Sequence, residues 1–176
     1  MRLFVAVWPP EEVVGAVASA VAALSAAHPE QAGALRWTGP EQWHVTLRFL
    51  GDAGLDEAAR ALRAVPAPAR RGPATAVLGP ATGRFGRRVL HLPGAGLDDL
   101  AAAVVAATAG VGEPPEDRPF AGHLTLARAR DRRGADLAPL SGYAVEGRWA
   151  VPEVALVASR PGRGGARYEV VETLPV

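Results

Sequence analysis

The chain has 176 residues, a length that suits one ordinary domain or two small lobes around a shared core. Apolar residues make up 49% and charged residues 21%, the balance of a folded chain rather than a disordered one. A net charge of +1 excludes a global field of the kind that marks a duplex-coating protein, and the absence of cysteine excludes disulfides, thiolate metal sites and a cysteine nucleophile.

The first seven residues after Met1, RLFVAVW, are strand formers, and the PP pair at 9–10 stops them. The run is too short and too soon followed by charge for a secretory signal. No apolar run approaches the ~20 residues that span a bilayer, so no membrane contact and a cytoplasmic location are expected. Residues 11–27 carry Glu11 and Glu12 in a first turn and apolar residues at Val13, Val14, Val17, Val21 and Leu24, which is helix spacing. LRW (35–37) and WHVTLRFLG (43–51) read as strands around a TGPEQ turn. A helix over 55–64 leads into PAPARRGP (66–73), a connector too rich in proline to be regular. TAVLGPATG and RRVLHLP read as two strands, LDDLAAAVVAATAG (97–110) as a helix closed by Gly110, and 110–119 as a loop. FAGHLTLARA (120–129) is a strand, as are YAVEGRW, EVALVAS and RYEVVETL, with RPGRGGA (160–166) as a flexible link. Strands and helices recur in each half, which predicts an α+β protein of two related lobes.

The two halves share one frame: HVTLRFLG begins at His44 and HLTLARAR at His123. The chain holds four histidines and seven threonines, so two His-x-Thr-Leu frames are a specific signal where one would be weak. Strand alternation points His44 and Thr46 one way and Val45, Leu47 and Phe49 the other. The same parity joins His123 to Thr125, opposite Leu124 and Leu126. Two such strands across a cleft supply two imidazoles and two hydroxyls to one small volume. Phosphodiester hydrolysis needs a base for the incoming water and an acid for the departing oxygen, and histidine serves as either near neutral pH. Hydroxyls and backbone N–H groups can hold the non-bridging oxygens. The strands are nearly symmetric, so residue types alone leave acid and base unassigned.

A zinc site is the competing chemistry. Two histidines with no helical partner or adjacent carboxylate make a poor ligand set, and Glu41 and Asp117 fall in turns, so no metal and no cofactor are expected. His28 reads as a helix C-terminal residue and His91, with no hydroxyl two residues on, as structural. Trp37 and Phe120 read as core.

Taken with the opening RLFVAVWPP, the RW at 36–37, the RPF before the second frame and the closing ARYEVVETLPV, the chain resembles the two-histidine phosphoesterase superfamily. More closely it resembles the bacterial and archaeal RNA 2′,3′-cyclic phosphodiesterases, first named 2′-5′ RNA ligases, over nearly its whole length. The resemblance implies a single domain over 1–176 with two pseudo-symmetric lobes, each an antiparallel sheet with helices on its outer face, flanking a central cleft. It implies His44 as proton donor, His123 as proton acceptor, and Thr46 and Thr125 on the phosphate. Arg128 follows the second frame as it often does in that family, though strict alternation puts it on the Leu face unless the strand ends or the side chain reaches round its edge. Tyr168 and the arginines of 160–167 are either nucleotide contacts or a solvated hairpin tip, and the hairpin is favoured.

The implied reaction opens a terminal RNA 2′,3′-cyclic phosphate to a 2′-phosphomonoester, in a monomer whose partners are RNA ends or small cyclic-phosphate nucleotides. The alternatives are 2′-5′ end-joining by the reverse reaction and hydrolysis of another small cyclic nucleotide. The chain has no lysine, which excludes a ligase that adenylylates one.

Overall fold

A computed structural model describes residues 1–65, 74–162 and 165–176; the proline-rich connector at 66–73 lies outside the described residues. Among these, ten strands form one curled antiparallel sheet: β1 (Arg2–Val7), β2 (Leu35–Trp37), β3 (Val45–Asp52), β4 (Thr75–Leu78), β5 (Gly83–Phe85), β6 (Val89–Ala95), β7 (His123–Ala129), β8 (Gly147–Ala150), β9 (Glu153–Gly162) and β10 (Gly165–Pro175). The helices are α1 (Glu11–Ala27), α2 (Pro29–Gly33), α3 (Leu55–Arg63) and α4 (Asp98–Ala107).

The strand order is β10-β9-β1-β3-β7-β6-β4-β8, with β2 on β7 and β5 on β6. It divides into one lobe of β10, β9, β1 and β3 and a second of β7, β6, β4 and β8 with β2 and β5, and the two meet where β3 touches β7, through the single register pair Val45↔Leu124. These are the residues directly after His44 and His123, so the pseudo-twofold relation passes between the two histidine frames. Val45 and Leu124 are fully buried and hold the junction from the convex side. Beyond that pair the strands diverge, and the cleft opens between them.

The lobes exchange helices. α1 follows β1 in the first lobe yet packs on β8 of the second, while α4 follows β6 in the second lobe and packs on β3 of the first. Gly147 permits the first of these contacts, because a Cβ there would lie 2.5 Å from Val13 Cγ1. The α1 spacing buries Val13, Val17 and Leu24, and its acids at Glu11 and Glu12 sit at the positive end of the helix dipole. Leu3, Val5, Val7, Leu47, Leu92 and Leu126 join these side chains in one convex-side core that runs through both lobes. Each fully buried leucine stabilises the fold by roughly 1.5–3 kcal/mol.

Most of the expected strands recur with shorter bounds, but the last two are longer: residues 160–162 and 165–166, expected in a flexible link, extend β9 and β10 and pair with each other as Ala166↔Pro161 and Gly165↔Gly162. YAVEGRW contributes only its last residues to β8, because Tyr143 and Ala144 are held by Thr82 and Ala81 instead. α2 was not expected from the sequence; Pro29 sits at its first turn, where a missing N–H costs nothing.

Candidate active site

The strand β3 departs from strict alternation. Val5 is opposite Arg48 and Ala6 is opposite Thr46, which leaves Leu47 as an extra residue, a β-bulge. β7 does the same against β6: Leu90 faces Ala127, His91 faces Thr125, and Leu126 is extra. In both strands the bulged residue is the third after the histidine. Burial from His44 to Phe49 and from His123 to Arg128 runs in one pattern: partial, buried, partial, buried, buried, exposed. The bulge resets the parity. Arg128 therefore lies on the concave face with His123 and Thr125, neither past the strand end nor reaching round its edge. Phe49, expected with Val45 and Leu47, is instead 56% exposed on the concave side, its ring 6.0 Å from Phe4. Arg48 takes the core side and donates to the carbonyls of Phe49 and Glu113, tying the loop before β7 to β3.

Each histidine is held in one way. His44 Nδ1 lies 2.6 Å from the Gln42 carbonyl oxygen and His123 Nδ1 lies 2.8 Å from that of Ala121. A carbonyl only accepts, so both Nδ1 atoms carry hydrogen and donate, and both Nε2 atoms are left for the cleft. Gly122, just before His123, is set by close approach to β6: its carbonyl accepts from Gly94 N–H at 2.7 Å, and a Cβ would lie 2.8 Å from Gly94 O.

The surroundings of the rings differ. His44 stacks on Phe4 at 5.0 Å and lies 5.1 Å from both Trp8 and Tyr168. Tyr168 thus belongs to the cleft wall rather than to a solvated hairpin tip. Of the neighbouring arginines, Arg160 pairs with Glu169 at 3.0 Å, and Arg163 lies outside the described residues. His123 meets Phe85 edge-on at 4.8 Å and His91 at 5.5 Å, with Phe85 stacked on His91 at 4.0 Å. The sequence set His91 apart from the paired frames; the structure places it opposite Thr125 in the same cleft, with its Nδ1 buried and unpartnered. Trp37 and Phe120 pack against the core as expected.

A family model for LigT-like phosphoesterases matches residues 7–78. The structure of TT0787 from Thermus thermophilus shares 30% identity with a TM-score of 0.75, covering 99% of this chain and 97% of that one. Escherichia coli LigT, crystallised with 3′-AMP, shares 28% identity with a TM-score of 0.74 over 99% and 97%. The chain belongs to the LigT-like phosphoesterases. The phosphodiesterase domain of MHV ns2, at 14% identity and a TM-score of 0.60 over 88% of this chain and 96% of that one, shares the fold alone. No curated protein matches.

In this LigT-like phosphoesterase, burial pushes His44 down from 6.5 to about 4, against the opposing pull of the Gln42 carbonyl and with help from the His123 and Arg128 charges. His91 is lowered too, first by burial and then by His123. Burial raises the Tyr168 phenol, and Arg128 pulls it back. Arg128 is thus within electrostatic reach of both His44 and Tyr168, which joins the two lobes across the cleft. Among the described residues no three His, Asp or Glu side chains come together as a metal-binding group, and no helix is long and apolar enough to cross a membrane.

Proposed function

We propose that this phosphoesterase opens the 2′,3′-cyclic phosphate at the end of an RNA chain to a 2′-phosphomonoester, and that residues 1–176 act as one two-lobed domain. The reading is carried by the matched imidazoles, each with Nδ1–H committed to the carbonyl two residues back and Nε2 free in the cleft. Crystals of E. coli LigT with 3′-AMP, ATP and NADP+ support a nucleotide phosphate as the ligand class.

In the proposed step Nε2 of His123 takes a proton from water as the water oxygen bonds to phosphorus. The P–O3′ bond breaks, and O3′ takes the proton from Nε2 of protonated His44. One water is consumed and the 2′ ester bond is kept. Thr46, Thr125 and Arg128 donate to the non-bridging oxygens, where charge accumulates. With its midpoint pushed to about 4, His44 is neutral in the free protein at pH 7. The negative phosphate favours its protonated form, so the acid is charged when substrate is bound.

The test is an RNA oligonucleotide ending in a 2′,3′-cyclic phosphate, followed by phosphorus NMR. A 2′-phosphate product is expected, and His44→Ala and His123→Ala each lower kcat/KM by at least ~10²-fold. A substrate with a good leaving group rescues His44→Ala and not His123→Ala. EDTA leaves the rate unchanged. A 3′-phosphate product would overturn the assignment of the leaving oxygen, and loss with EDTA restored by zinc would overturn the metal-free step.

A further inference from the structure

β2 runs along β7 where β3 has diverged from it, and its register is Leu35↔Ala129, Arg36↔Arg128 and Trp37↔Ala127. Leu35 is buried and Trp37 packs against the convex core, so Arg36 is on the opposite side of its strand. Ala127 is fully buried on the convex side as well, and the bulge at Leu126 puts Arg128 on the concave face. Directly opposed residues on antiparallel strands share a face. Arg36 and Arg128 are therefore neighbours on the concave face, ~4.8 Å apart from strand to strand. Both side chains are exposed, and neither joins an ion pair among the described residues.

Like charges directly opposed across two strands are destabilising. Two guanidiniums in that arrangement, beside a phosphate-handling cleft, are relieved by an anion that spans them. Arg128 shares the concave face with His123 and Thr125 and acts electrostatically on His44, so the proposed step sets it on the phosphate between the histidines. Arg36 is one strand further out, in the row of Val89 and Arg128 and not in the row of His91 and Thr125. In a chain that ends in a cyclic phosphate, every other phosphate lies on its 5′ side.

We infer that Arg36 and Arg128 form a two-guanidinium track along β2 and β7, in which Arg36 binds a second phosphoryl group 5′ to the cyclic phosphate. The inference rests on the function proposed above. It gives that site a substrate class: a nucleotide carrying at least two phosphates, rather than a cyclic mononucleotide. The 5′ group comes either from an internucleotide phosphodiester or from a 5′-phosphate, and the chemistry Arg36 meets is the same.

The test compares kcat/KM for adenosine 2′,3′-cyclic phosphate, its 5′-phosphorylated form, and the dinucleotide ApA with a 2′,3′-cyclic phosphate, in wild type, Arg36→Ala and Arg36→Lys. In wild type the two substrates with a 5′ phosphoryl group are expected to exceed the mononucleotide by about 10-fold or more, as for a charge-assisted contact. Arg36→Ala brings that ratio toward one, and Arg36→Lys, which keeps the charge without the fork, leaves it intermediate. If only the dinucleotide gains, the source is a chain phosphodiester; if both gain, a terminal phosphate serves as well. A ratio unmoved by Arg36→Ala, or an equal fall on all three substrates, overturns the inference, the latter by putting Arg36 on the cyclic phosphate itself. Failure of wild type to open any of the three would instead overturn the proposed function. Arg36 lies on an exposed strand position, and the lysine variant reads the same ratio if the alanine variant does not fold.

Discussion

His44 is enclosed by Phe4, Trp8 and Tyr168, and burial among these rings is the largest cause of its lowered midpoint. The proposed step needs protonated His44 and neutral His123, so kcat/KM carries both ionisations of the free protein, and its limbs belong to the pair rather than to one ring. The His44 ionisation lies at about 4. The low-pH limb of kcat/KM is therefore expected near 4, well under an ordinary histidine. Bound phosphate places negative charge beside the ring and raises its midpoint, so the corresponding limb of kcat at saturating substrate lies higher. Coincident limbs would show that the phosphate is not held against His44. The two histidines and two threonines were legible in the sequence because alternation is local and the frame occurs twice. The rings around His44 were not: Phe4 and Tyr168 belong to opposite ends of the chain and meet only when β9 joins β1 to β10.

At the scale of the element, the paired bulges decide which side chains reach the cleft. An extra residue at Leu47 and at Leu126 returns the fifth residue after each histidine to the histidine's face. One lobe offers Phe49 there and the other Arg128, which breaks the symmetry of an otherwise matched cleft. Nothing in a single strand's composition marks such a bulge, since it exists only relative to a partner, and this is why strict alternation misplaced Phe49 and left Arg128 unresolved. The placement has a titration signature. Arg128 lowers both His44 and Tyr168, because a positive charge opposes the imidazolium and favours the phenolate. Replacing Arg128 with alanine removes that charge, so both midpoints are expected to rise, read by NMR titration of the histidine and ultraviolet titration of the tyrosine. Two unmoved midpoints would put Arg128 back on the Leu face.

For the whole molecule, the two-lobed α+β plan was legible from the repeated frame, whereas the helix exchange was not. Amphipathic spacing says which face of α1 is buried and is silent on which sheet buries it. The exchange and the Val45↔Leu124 pair make the cleft part of the folded core, so its titration is coupled to global stability. In the unfolded chain His44 titrates near 6.5, and in the fold near 4. Above pH 6.5 it is neutral in both states and contributes no pH dependence. Between 6.5 and 4 the unfolded state binds a proton that the folded state refuses, so stability falls as pH falls. At 1.36 kcal/mol per unit the loss accumulates to roughly 3 kcal/mol by pH 4, a sizeable part of a typical 5–15 kcal/mol. His91, also lowered, acts in the same direction. Carboxylates titrate in this range too, so the difference between wild type and His44→Gln isolates the effect: urea unfolding at pH 7 and pH 4 is expected to show wild type losing roughly 3 kcal/mol more than the variant. Inorganic phosphate supplies the opposite term. It favours protonated His44 in the fold, so its stabilisation of wild type grows as pH drops from 7 to 5, and does so less in His44→Gln. Equal phosphate stabilisation at both pH values would mean that the anion binds away from the buried ring.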